Sequence, residues 1–236
     1  YGGYRYGYFS FDWTYLLVLA GMVLSLLASA MVKRTYAKYE KVRSMSGLTG
    51  AQAAEKILRS NGIYDVSIEH VEGNLTDHYD PGNKVLRLSD SVYNNSSVAA
   101  IGVAAHECGH AVQHDKSYAP LAIRTAIVPA ANIGAALSWP LILIGLMIGM
   151  KSSSFLITAG ILLFSLSVLF QIVTLPVEFN ASRRAIRVLS DMGILYGDEV
   201  KDTKKVLFAA ALTYVAAAAG SILQLVRLIM IGRRND

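Results

Sequence analysis

"SSVAAIGVAAHECGHAVQH", residues 96–114, is the stretch from which the fold can be argued outward. Alanine, valine and isoleucine surround its polar residues, and Ser96 or Ser97 can cap it, so it predicts a buried helix. Residues four apart in a helix lie one above the other on a single face. His106 and His110 therefore present two imidazoles together, a spacing that suits one zinc ion. Glu107 beside them can reach a water at that ion as general base. His114 lies too far along the axis to join them, because a gap of about 12 Å at about 1.5 Å per residue exceeds what zinc–nitrogen bonds of about 2.1 Å cover. The third ligand must come from another segment.

Composition places the helix in a membrane protein. Hydrophobic residues make up 53% of the 236 residues and charged ones only 17%, fewer charges than an average soluble domain carries. Mean hydropathy is +0.40. Four windows carry no charge: 13–32, 125–150, 152–177 and 206–226. Each has the roughly 20 residues needed to cross a hydrocarbon core. The fourth is rich in alanine and reads either as a span or as a helix packed inside the protein. The first is too long for a signal peptide and lacks a basic start and a small-residue cleavage site. The chain begins with Tyr1 and not Met, so the expectation is that residues precede it.

Lysine and arginine set the expected orientation. Lys33, Arg34, Lys38, Lys41 and Arg43 follow the first window; Arg183, Arg184, Arg187, Lys201, Lys204 and Lys205 follow the third. The opposite side has Arg5 and Lys151. Residues 33–124 and 178–205 are thus expected in the cytoplasm, with the tyrosine-rich start as an outer aromatic belt. Arg233 and Arg234 would go outside if the fourth window spans, against this bias. The net charge of +5 is accounted for by these flanks, which suit an anionic lipid bilayer, and no basic surface pattern argues for nucleic acid. Cys108 is the only cysteine, which excludes an intrachain disulfide and reads as a small apolar filler.

Between the first two windows, residues 33–124 suffice for one small α+β domain carrying the histidine helix. "TGAQAAEKILRSNG" (49–62) predicts a helix capped by Thr49 and stopped by Gly62. "YDVSIEHVEG" (64–73) and "KVLRLSDSVY" (84–93) predict two strands, joined as a hairpin through "DPGN" (80–83), where Pro81 and Gly82 suit a type II turn. A strand beside the metal would hold an extended substrate by main-chain hydrogen bonds. His70 and His78 also lie here, His78 being the stronger candidate to support the site.

Windows 125–150 and 152–177 are joined only through Lys151, so they form an antiparallel hairpin over 125–177 that returns Glu178 to the side of the His pair. A carboxylate there completes a His₂Glu, gluzincin-like set, with one position open to water. Asp115 and Glu199 are weaker rivals for that place. The expected plan is 1–32 as N-terminal segment and first transmembrane helix, 33–124 as the domain, 125–177 as the hairpin, 178–205 as the third-ligand segment and 206–236 as the fourth apolar helix. That makes a mainly α membrane protein with three or four transmembrane helices and a small zincin-like cytoplasmic domain.

"LTDHYDP", "AAHECGHAVQH" and "TLPVEFNASRRA", in this order among these windows, resemble the neutral zinc metallopeptidases of the YugP type over nearly the whole chain. More distantly, "EFNASRRA" is similar to the third-ligand element of HtpX-like and CAAX-type membrane proteases. Glu178, Ala181 and Ala185 match that element, while Ser182 stands where those proteases have an aspartate that orients the ligands. Asn180 is a candidate substitute. The resemblance implies one zinc per chain, held by His106, His110 and Glu178, and a protein or peptide substrate. Tyr214, Tyr118 and His114 are candidates for stabilising the oxyanion. The alternative is a membrane scaffold with a structural zinc, though such sites are usually closed by four ligands and rich in cysteine. A transporter would place ionisable groups within its spans, and the first three windows have none.

Overall fold

The computed structural model describes residues 12–148 and 154–233. The tyrosine-rich start up to residue 11, including Arg5, lies outside the described residues, as do Lys151 and Arg234. The chain is a mainly α membrane protein. Four helices are long and apolar enough to cross a membrane: α1 (Tyr15–Tyr39), α4 (Ala119–Ile148), α5 (Ser154–Asp191) and α6 (Asp198–Arg233). Their outer faces carry exposed Leu19, Leu27, Ile133, Leu143 and Leu162, which water would penalise and lipid does not. Between α1 and α4 come α2 (Gly50–Ser60), β1 (Ser67–Val71), β2 (His78–Asp80), β3 (Val85–Ser89) and α3 (Val98–Asp115).

The helix starts follow the sequence. Thr49 accepts from the Gln52 N–H while Gln52 reaches back to the Thr49 N–H, a reciprocal cap on α2. Ser97 Oγ accepts from the Ala100 N–H at 3.1 Å and starts α3. α3 then sits at the centre of a core with α2, β3 and the inner ends of α1, α5 and α6. Ile57, Leu86, Ile101, Leu189 and Val206 are among its fully or almost fully buried members. Residues from both basic-flanked segments thus join one body on one side of the long helices.

The sheet departs from expectation. Its order is β1-β3-β2; β3 runs parallel to β1 and antiparallel to β2. The predicted hairpin of 64–73 with 84–93 is therefore replaced by one of β2 with β3. The short β2 was not foreseen because three residues carry no readable alternation. β3 takes the centre because its apolar run "VLRLS" is largely buried, whereas β1 is mostly exposed. The turn also differs. Asp80 Oδ1 accepts from the Gly82 and Asn83 N–H groups, and the left-handed residue is Lys84 (φ 52°), not Gly82 as a type II turn requires.

The long helices run through the expected boundaries. α5 continues past 177 without a break, so Glu178 lies mid-helix. α6 is long and apolar enough to cross a membrane, and part of it is packed inside the protein. Its first turns pack against α3, with Val206 and Leu207 in the shared core and Thr203 Oγ1 donating to the Val98 carbonyl at 3.1 Å. Its later part lies against α1, where Gly21 faces Gly220 so closely that an added Cβ would sit 3.1 Å from the Gly220 Cα. A comparable approach sets the site: a Cβ on Gly109 of α3 would lie 2.7 Å from the Ala181 carbonyl of α5. With no side chain at 109 and only a methyl at 181, the two helices come near enough for their polar residues to meet.

Candidate metal centre

His106 and His110 face α5 one turn apart, their rings 4.8 Å between centroids and nearly perpendicular. Glu178 points at both. Its Oε2 lies 3.2 Å from His106 Nε2 and 3.5 Å from His110 Nε2. Among the described residues these three form a group whose ligand atoms all lie within 4.8 Å of one another. Asp115, paired with Lys116, and Glu199 are not part of it. Glu199 instead accepts the Met45 and Tyr196 N–H groups.

The outer nitrogens are already engaged. His106 Nδ1 lies 3.0 Å from Ser182 Oγ, and His110 Nδ1 lies 3.0 Å from Gln113 Oε1. Gln113 fixes one tautomer. Its Nε2 donates to the Val177 carbonyl at 2.8 Å and to Asn180 Oδ1 at 3.0 Å, leaving Oε1 as an acceptor. In its neutral form His110 then carries its proton on Nδ1, which leaves Nε2 a lone pair aimed at Glu178. Arg184 Nε donates to Asn180 Oδ1 at 2.8 Å and completes the chain. Nitrogen lone pair and carboxylate oxygen facing one another are a donor set that a dication satisfies, so the residues fit zinc.

Glu107 is buried beside this set but outside it. Its Oε2 accepts the Tyr79 N–H of β2 at 3.1 Å. Burial raises its carboxyl above the usual range, against the lowering pull of the two imidazoles. Burial also pulls His110 downward, but Glu178 and Glu107 outweigh it and His110 ends raised.

A cleft of about 820 Å³ opens over these residues. β2 and Pro81 bound one part of it, Leu121, Ala126 and Val128 of α4 another, and Tyr214 of α6 a third. The other predicted residues divide. His78 lies at the rim, exposed, with Nδ1 on the Thr76 carbonyl at 2.9 Å, and does not touch the ligand set. Tyr214 and Tyr118 both line the cleft, Tyr118 beneath the Arg184 guanidinium. His114 Nδ1 meets the Tyr79 hydroxyl at 2.9 Å. His70 is away from the cleft, 2.6 Å from Asp90 Oδ1. Cys108 is fully buried, and burial pushes its thiol up, as befits an inert filler. Sequence reasoning missed Gln113 and Tyr79. Gln113 was within reach of the helical i,i+3 rule from His110; Tyr79 depended on the unforeseen strand.

Residues 14–233 match the family model described as "Putative neutral zinc metallopeptidase". The chain is also 49% identical over 215 residues to the "Putative membrane protease YugP" of Bacillus subtilis (strain 168), covering 91% of this chain and 94% of that relative. No solved structure matches it.

Proposed function

Because this chain belongs to the family of neutral zinc metallopeptidases, we propose that it is a gluzincin-like, membrane-embedded endopeptidase. Its substrates are membrane proteins, or peptides close to the bilayer, cut on the cytoplasmic side. The observation that carries the reading is the convergence of His106 Nε2, His110 Nε2 and Glu178 Oε2 beside a buried Glu107 that is not among them. Three ligands leave a fourth position open, which suits catalysis better than a scaffold's closed zinc.

When bound, one zinc per chain supplies a Lewis acid that acidifies a water towards a pKa of about 7 and polarises the scissile carbonyl. The protein's own groups do the rest. Glu107 takes the proton of the attacking water and delivers it to the leaving amine. The Tyr79 N–H holds Oε2 and leaves Oε1 to carry that proton. The Tyr79 N–H points away from β3, so its carbonyl faces the same open edge, where an extended peptide can add as a strand. Ser182 and the Gln113–Asn180–Arg184 chain orient the imidazoles. The apolar wall on α4 supports a substrate segment that lies against the bilayer.

The test is Glu107→Gln in the purified full chain. Zinc should stay near one equivalent while hydrolysis of an unfolded protein in detergent falls by about 10²–10⁴. Residual activity above about a tenth of wild type would remove Glu107 from the role. A wild-type chain that holds no zinc would remove the reading itself.

A further inference from the structure

Arg124 stands in the second turn of α4 and has no part in the steps above. Among the described residues it is the only lysine or arginine lining the cleft that holds Glu107, His110 and Glu178. Its side chain is 30% exposed, and its Nη1 lies 3.7 Å from Glu178 Oε1. That is a charge pairing and too long for a hydrogen bond. The guanidinium carbon sits 5.9 Å from the Phe170 ring centroid. Among the described residues no hydrogen bond engages Arg124, so a half-buried fork of five donors faces the cleft without an acceptor.

The oxygen of Glu178 that faces the imidazole pair is Oε2, so the Glu178 carboxylate stands between the guanidinium and that pair. Arg124, Glu107 and His110 line one cleft, so the fork and the general base face the same bound segment. Of the other candidates, His114 is engaged with the Tyr79 hydroxyl.

Resting on the peptidase reading, we propose that Arg124 is a catalytic residue that donates to the carbonyl oxygen of the scissile bond. As the water oxygen bonds to the carbonyl carbon, the C=O π pair moves onto the carbonyl oxygen, which becomes negative. When the C–N bond breaks, that pair re-forms C=O and the amine leaves with the proton from Glu107. The Arg124 donors meet this oxygen most strongly while it is charged, so they favour the transition state over the bound substrate.

The experiment compares wild type, Arg124→Gln and Arg124→Lys as zinc-loaded full chains in detergent. One probe is a phosphinic tripeptide, whose tetrahedral anionic phosphorus copies the charged intermediate. The other is a hydroxamate with the same side chains and a planar head. Arg124→Gln should weaken the phosphinic probe by about 100-fold or more and the hydroxamate by no more than about threefold. Zinc affinity should stay at the wild-type level, and Arg124→Lys should fall between. Equal loss of both probes, or loss of zinc, would make Arg124 only a prop for Glu178 and overturn the proposal. Unchanged phosphinic binding would overturn it too. If zinc-loaded wild type binds neither probe, the peptidase reading falls, and this proposal with it.

Discussion

Gln113 spends every polar atom it has on one task. Fully buried, it accepts from His110 Nδ1 and donates to the Val177 carbonyl and to Asn180. It ties the α3 imidazole to the α5 backbone one residue before Glu178. Replacing it with leucine keeps most of the volume but removes three bonds, of which the one to the buried Val177 carbonyl costs about 1–3 kcal/mol. Gln113→Leu should lower zinc affinity by about 10–100-fold, read by competition with a chromogenic chelator. Wild-type affinity would mean that His110 is held by packing alone. Ser182 works similarly on His106, with a hydroxyl where the distantly similar proteases use a carboxylate. Among the described residues Ser182 is the hydrogen-bond partner of His106 Nδ1, so a neutral hydroxyl orients one imidazole and the Gln113 chain the other.

At the scale of elements, the site exists because α3 and α5 touch backbone to backbone. Gly109 lies on the α3 face that meets Ala181, and Ser182 and Glu178 ride on the same stretch of α5. A methyl at 109 would fall 2.7 Å from a carbonyl oxygen, and a helix backbone cannot give locally. Gly109→Ala should therefore shift α5 outward, destabilise the protein by about 1–3 kcal/mol and weaken zinc binding. Thermal unfolding and metal titration of the variant check both effects. A variant with unchanged melting and unchanged zinc affinity would show that the helix contact is not what sets the ligand distances. β2 is a second such element. Three residues long, it exists because Asp80 closes its turn and β3 offers a bonding edge, and it supplies the N–H that holds Glu107.

For the whole molecule, the decisive question is which side of the membrane carries the body built around α3. The core joins the inner ends of α1, α5 and α6, so all the lysines and arginines that follow the first and third windows lie on its side. Under the rule that such residues stay inside, we propose that this side is the cytoplasmic one. Tyr64 is a suitable reporter because it is 79% exposed on that body. Tyr64→Cys in a Cys108→Ala background should resist an impermeant thiol reagent in intact cells and react once the membrane is opened. Labelling in intact cells would reverse the orientation and place the cleft outside.

Local pattern alone determined the long apolar helices, the capped starts of α2 and α3, and the pairing of His106 with His110, because each depends on residues within a turn or two of one another. The charge-free hairpin even delivered Glu178, since two spans joined by a short link must return to the side they left. The order of the sheet, the union of α3 with the first half of α6, and the contacts of Gln113 and Arg124 depended on tertiary structure. They rest on which surfaces fit: a bare Gly109 against Ala181, a buried β3 that claims the centre, a guanidinium brought beside a carboxylate 54 positions further along the chain. Periodicity carries no record of such distances, because the free energy that selects them is gained only when separate elements exclude solvent together.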